Sequence, residues 1–114
     1  MKDEKTTKTI DTQQDEPDKA QEPWYLVRCR DAGVFFGRIE SRDGSEVTMT
    51  DARRLWQWYG ATECCQLAAE GVAKPKECKF TLWVKQVVLL DAIEIHTCTD
   101  AAAKSIEGVS VWKA

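Results

Sequence analysis

Between Trp24 and Gly60 the chain consists of short runs in which aromatic and β-branched residues alternate with other residues, separated by glycine-containing turns. The runs Trp24 to Arg30 and Val34 to Glu40 both follow this pattern. A period of two residues is typical of a half-buried strand. The Asp43-Gly44 pair supplies the positive φ that tight hairpin loops require. The segment therefore predicts antiparallel hairpins.

The rest of the chain continues with short elements. Strands are predicted at 46–50, 51–60, 80–84, 87–90 and 93–98, with an edge strand at 109–112. Helices are predicted at 62–71 and 101–107, with Thr62 and either Thr99 or Asp100 as N-caps. Gly37 marks a bulge or a close backbone approach, and Ile93 and Ile95 are expected to face inward if Glu94 and His96 face outward. The fold class is α+β, with a mainly antiparallel sheet of six or seven short strands and one or two short helices.

Charge divides the chain into two parts. Residues 1–23 contain four lysines, seven acids, no aromatic residue and only one β-branched aliphatic residue, Ile10. Such a segment buries too little apolar surface to offset its ordering entropy, so it is predicted to be a disordered acidic N-terminal tail. Residues 24–114 contain 12 basic and 12 acidic residues and are predicted to form one compact domain. A neutral domain has no broad field to attract nucleic acid or an anionic membrane.

The sequence contains no catalytic signature, and we expect the protein not to be an enzyme. The sole histidine, His96, and Cys98 project in parallel from one strand face and do not form a dyad. The five cysteines show no CxxC spacing, which argues against both a zinc site and a disulfide framework. We therefore expect no metal, no cofactor, no membrane segment and a reducing cytoplasm as the working site.

The strongest binding signal combines arginine with tryptophan. All six arginines lie between Trp24 and Gly60, and one predicted strand places Arg54, Trp56 and Trp58 on the same face, where they could stack a base and hold a phosphate. The candidate residues for binding a ligand or a partner are Arg28, Arg30, Arg53, Arg54, Trp56 and Trp58. The alternatives are a structural or protein-interface role, an anionic nucleotide site and, least favoured, a nucleic-acid surface.

One run of residues also carries a family resemblance. The block from Ala52 to Ala61, which reads Ala-Arg-Arg-Leu-Trp-x-Trp-x-Gly-Ala, resembles an uncharacterised family of small proteins from tailed phages and prophages. The likeness extends roughly from Arg28 to Ile106. That family has no assigned activity, so the resemblance implies no functional residues; it implies a phage origin and the host cytoplasm.

These observations favour a function based on binding. The leading hypothesis is a phage-encoded accessory protein that acts by protein–protein interaction with a host or phage protein, for example as an inhibitor of a host defence factor. It is expected to be a homo-oligomer. The alternative is a sponge that binds an anionic nucleotide signal through the arginine and tryptophan residues. A minor virion component is a further alternative.

Overall fold

The computed structural model describes residues 23–61 and 63–113, so the predicted disordered tail lies almost wholly outside the described residues. The elements, in chain order, are β1 (Tyr25–Cys29), β2 (Val34–Asp43), β3 (Glu46–Gln57), α1 (Cys64–Glu70), β4 (Lys79–Phe80), β5 (Val84–Leu89), β6 (Ala92–Thr97) and α2 (Asp100–Glu107). Every strand pairing within the sheet is antiparallel. The predicted α+β class is therefore confirmed, with six strands and two short helices in the described part.

The sheet curls until its ends approach each other. Its strand order is β4-β3-β2-β1-β6, and β5 pairs with the first half of β3. Strands β5 and β6 lie at opposite edges of the sheet, yet only Leu90 and Asp91 separate them in the chain. The end of β5 and the start of β6 can therefore be at most about 10 Å apart. The carbonyl of Asp91 accepts a hydrogen bond from the Arg30 amide, and that of Ser45 accepts one from Ala92, both at 3.0 Å. The result is a partly closed barrel.

A β-bulge lies within the hairpin formed by β2 and β3. Asp51 has a φ of 50°, and the pairing register shifts between Phe36 and Arg38. A side chain at Gly37 would bring its Cβ to 2.8 Å from the Cβ of Ala52. The expected bulge and close approach at Gly37 are thus both confirmed. The predicted break between two strands at Asp51 is wrong, because the ladder with β5 continues on both sides of the bulge.

Two hydrophobic cores lie on opposite faces of the sheet. One lies under the helices and includes Leu26, Phe36, Leu55, Leu67 and Ile106. The other lies inside the curl of the sheet and consists of Val27, Cys29, Phe35, Val47, Met49, Ala52 and Leu89. Strand β2 therefore has buried side chains on both faces, with Phe35 on one and Phe36 on the other, whereas the last part of β3 alternates between the buried Arg53 and Leu55 and the exposed Arg54 and Trp56.

The helix ends follow the expected capping chemistry with one change. Thr99 caps α2 as predicted by accepting a hydrogen bond from the Ala102 amide at 3.0 Å. The N-cap of α1 is Glu63, whose carboxylate accepts from the Cys65 amide at 2.7 Å, so the prediction of Thr62 was off by one residue. Gly71 ends α1 as expected. In the part of the chain that the structure describes, neither helix is long or apolar enough to cross a bilayer.

One prediction for the edge strands holds only in part, and another is wrong. Ile95 lies opposite the buried Val27, on the inner face as expected. Ile93 and Ile95 are nevertheless 43% and 36% exposed, because β6 borders the sheet and pairs only with β1 among the described strands. Lys85 and Gln86 do not separate two strands but lie within β5. Their side chains are exposed, and an edge strand tolerates such polar residues.

Candidate functional site

Two stacked tryptophans form the most prominent exposed feature of the described chain. The rings of Trp56 and Trp112 are parallel to within 6°, with centroids 5.0 Å apart. The side chain of Trp56 is 56% exposed. The ammonium group of Lys79 lies 5.5 Å from the Trp56 ring and 5.4 Å from the Trp112 ring, within cation–π range. Together with Arg54, these residues are called the tryptophan surface below.

Three segments of the chain hold the tryptophan surface in place. Trp56 lies on β3, and its neighbour Leu55 points into the core and pairs with Phe80 of β4. Lys79 precedes Phe80 on the same strand. The backbone N–H of Trp112 donates to the carbonyl of Phe80 at 2.9 Å and fixes the C-terminal segment beside β4. The surface is therefore supported by paired backbone, and its rings are preorganised.

Arg54 lies two residues before Trp56 on the same strand and is exposed. Its guanidinium carbon is 5.0 Å from the centroid of the Phe35 ring. Stacking on that ring holds the guanidinium group at the surface of the protein. The arrangement leaves Arg54 able to contact an anionic group.

A cavity of about 460 Å³ adjoins the tryptophan surface. Lys76, Val111 and Trp112 are among its lining residues. It combines one indole ring, aliphatic groups and one ammonium group. This combination suits an apolar side chain that has a negative charge nearby.

Arg53 is one of the predicted binding residues, but its side chain is only 1% exposed and is not available to a ligand. Its guanidinium donates to the carbonyls of Val109 at 2.8 Å, Thr81 at 3.1 Å, Ile106 at 3.3 Å and Phe80 at 3.4 Å. Burial lowers the pKa of Arg53 from its ordinary value, and the group stays charged because that value is so high. Arg53 ties the end of α2 to β3.

Trp58 is not on the same strand face as Arg54 and Trp56, contrary to the prediction. β3 ends at Gln57, and Trp58 turns back to pack against the core beneath the helices. Its indole N–H donates to the carbonyl of Ala61 at 3.2 Å. The predicted set of three aligned residues is therefore reduced to Arg54 and Trp56.

Arg28 and Arg30 lie away from the tryptophan surface and pair with acids. Arg28 is 3.3 Å from the carboxylate of Glu94, and Arg30 is 3.0 Å from that of Asp91. The first pair connects β1 to β6, and the second connects the residue after β1 to the turn before β6. Their geometry fits the structural alternative rather than ligand binding.

Sequence reasoning missed Lys79 and Trp112. Trp112 follows Trp56 by more than fifty residues, and no local pattern connects the two positions. Lys79 gave no signal either, because it comes next to Trp56 only through the pairing of β4 with β3. Only the tertiary fold brings these residues together.

Comparison with known proteins gives one result. Residues 23–106 match a family model described as a domain of unknown function, DUF6948. The chain belongs to the DUF6948 family. This supports the predicted membership of an uncharacterised family. No curated protein and no solved structure matches the chain.

The match places most of the candidate surface inside the DUF6948 domain. Arg54, Trp56 and Lys79 lie within the matched residues, whereas Trp112 lies beyond Ile106, where the match ends. The partner ring of the stack thus comes from a segment outside the part that the family model covers.

The cysteines of the DUF6948 domain are unpaired, and the described residues include no group of three potential ligands that could hold a metal ion. Four are buried, and Cys65 is exposed. Burial raises the pKa of Cys98 to about 12, so that thiol stays protonated at neutral pH. The pKa of Cys65 is also raised, first by its hydrogen bond to Glu63 and then by the charge of that carboxylate. His96 lies 2.9 Å from Glu94 rather than against a thiol.

We expect a thiol reagent at neutral pH to modify one cysteine in the native DUF6948 domain, Cys65, and to do so more slowly than it modifies a small unperturbed thiol. In denaturant, all five cysteines should react. Counting the released chromophore against protein concentration measures both numbers. Stoichiometric zinc, or fewer than five reactive thiols after denaturation without reductant, would contradict this expectation.

Proposed function

We propose that this protein is a phage-encoded accessory protein that acts by binding a partner protein through the tryptophan surface. The observation that carries this proposal is the exposed stack of Trp56 and Trp112 beneath the ammonium group of Lys79. Large aromatic rings that stay in water, held by a rigid backbone, are the usual anchors of protein interfaces.

The geometry supports a protein partner more than a nucleotide sponge. The two indole rings are 5.0 Å apart and parallel, so they fill each other's faces and leave no slot between them for a base. The third ring expected to help, Trp58, packs against the core. Arg54 remains as an exposed group for a phosphate, but it is equally suited to a carboxylate on a protein.

The partner is proposed to be a host or phage protein in the host cytoplasm, with a host defence factor as the leading class and a virion component as the alternative. The phage origin implied by the Ala52 to Ala61 block supports this assignment. The neutral composition of residues 24–114 fits a protein partner better than a nucleic acid.

Self-association is proposed to use a different surface, the corner between β5 and β6. Val88, Leu90 and Ile93 are 45%, 74% and 43% exposed there. A two-fold interface places a surface against its own copy. If two copies met through the tryptophan surface, Lys79 and Arg54 of one copy would lie near the same cations of the other and repel them. The apolar side chains between β5 and β6 carry no charge, so two copies can meet there without repulsion. A purely monomeric mass in light scattering would contradict this part of the proposal.

Replacing Trp56 with serine should weaken partner binding about 30-fold or more, since removal of an interface anchor costs about 2 kcal/mol or more. The partner is first identified by affinity capture with the parent chain, and its Kd is then measured by calorimetry. Val84→Ser is the matched control, because Val84 is an exposed hydrophobic residue on β5. Equal affinities for the parent and Trp56→Ser proteins, both folded, would overturn the proposal.

A further inference from the structure

We propose that residues 10–22 of this same chain, called the acidic segment below, bind reversibly to the tryptophan surface and cover it. The proposal rests on the proposed function only in that both assign binding to the same surface. It identifies an occupant that is always present, so an external partner has to displace it.

Charge complementarity is the first argument. Lys79 lies over the two indole rings, Lys76 lines the adjoining cavity and Arg54 is held at the surface two residues before Trp56. The acidic segment has one lysine against the acids Asp11, Asp15, Glu16, Asp18 and Glu22, a net charge of −4. Each exposed ion pair contributes little, but several pairs together favour a weak and salt-sensitive association.

The apolar content of the segment also fits the site. Ile10 is the only β-branched aliphatic residue among residues 1–23. Asp11 follows it directly, so an aliphatic side chain and a carboxylate are adjacent. The cavity beside Trp112 offers apolar walls for the isoleucine side chain and the ammonium group of Lys76 for the carboxylate. One isoleucine side chain fits within about 460 Å³.

The chain is long enough to reach. β1 begins at Tyr25 and is separated from β3 by β2 alone, which places the two strands about 10 Å apart. Leu26 of β1 is level with Phe36 of β2, which is level with Arg53 of β3. Trp56 lies three residues beyond Arg53, so it is displaced about 10 Å along the strand direction from the start of β1. Thirteen Cα-to-Cα steps lead from Ile10 to Pro23, and an extended chain of that length spans about 43 Å. Attachment to the same chain also raises the effective concentration to the order of millimolar, so a weak contact becomes populated.

The test compares full-length proteins by NMR. In the variant Asp11→Asn, Asp15→Asn, Glu16→Gln, Asp18→Asn, the segment keeps its length and loses most of its negative charge. At low salt, we expect the indole N–H resonances of Trp56 and Trp112 to differ between this variant and the parent chain. The difference should vanish in 1 M NaCl, where the screening length is about 3 Å. The indole resonances are assigned with Trp56→Phe and Trp112→Phe.

A synthetic peptide of residues 1–22 supplies the second measurement. Added to the charge-neutralised variant, it should shift the same two indole resonances, and Lys79→Glu should weaken this binding about 5-fold, the order of one lost ion pair with an added repulsion. Lys85→Glu is the control, because Lys85 is exposed on β5. Identical low-salt spectra of parent and variant at Trp56 and Trp112, or equal effects of the two lysine reversals, would overturn the proposal. These experiments contain no partner protein, so a negative result contradicts binding of the acidic segment but says nothing about binding of a partner. The partner-binding proposal is tested separately by the affinity of the Trp56→Ser protein.

Discussion

Replacing Arg53 with methionine should lower the free energy of unfolding by about 3 to 5 kcal/mol. Methionine fills much of the same space but donates no hydrogen bond, so the carbonyls of Thr81 and Val109 lose the donor that they share, whereas the Ile106 carbonyl keeps the Val109 amide as a donor. Each buried carbonyl without a donor costs about 1 to 3 kcal/mol. The stacking of the guanidinium on Trp83, 4.8 Å from the ring centroid, is lost as well. Urea unfolding followed by circular dichroism measures the change.

The neighbouring arginine provides a matched control. Arg54→Met removes the same side chain one position along β3, but from an exposed site, so its effect on stability should stay below about 1 kcal/mol. Arg53→Lys should fall between the two, because lysine keeps the charge but lacks the planar fork that reaches four carbonyls. Equal losses at Arg53 and Arg54 would show that Arg53 does not have the structural role assigned to it.

Replacing Gly37 with valine should lower stability by about 2 to 3 kcal/mol, the usual cost of adding bulk to a packed site. Even the first carbon of the new side chain would lie 2.8 Å from the Cβ of Ala52. Relief of this clash requires the bulge in β3 to move, and the bulge shapes the curl of the sheet. Thermal and urea unfolding measure the loss.

Rescue by a second substitution distinguishes this clash from a general loss of chain flexibility. Ala52→Gly removes the opposing Cβ, so Gly37→Ala should cost less in the Ala52→Gly background than in the parent. Gly44→Ala is the comparison for backbone strain alone, since Gly44 has a positive φ and nothing within 4 Å of an added Cβ. Additive effects of Gly37→Ala and Ala52→Gly would contradict the packing role of Gly37.

The strand-rich fold class and the hairpins could be predicted from the sequence, because both depend on patterns within a few residues. The sequence separated Arg53 from Arg54 by strand alternation but did not show which of them is buried. That choice depends on the end of α2, whose carbonyls reach Arg53 from far along the chain. Because the hydrogen-bond partners of the buried Arg53 are backbone carbonyls, no acidic residue in the sequence indicates that this arginine is buried.

The candidate surface was only half predictable. Arg54 and Trp56 were found because they lie two residues apart on one strand. Trp58 was misplaced because alternation was extended past Gln57, where β3 ends. Lys79 and Trp112 join the surface through the pairing of β4 and the return of the C-terminal segment, which are contacts between distant parts of the chain. No local rule anticipates such contacts.

The bonds of Arg53 also determine when the nascent protein can finish folding. Its carbonyl partners lie 27 to 56 residues closer to the C-terminus. At about 5 to 20 residues per second, a ribosome needs about 3 to 11 seconds to make the chain between Arg53 and its last partner, Val109. During that time the hairpins can form, but the guanidinium stays in water. Native packing around Arg53 is therefore completed only after Val109 has been synthesised.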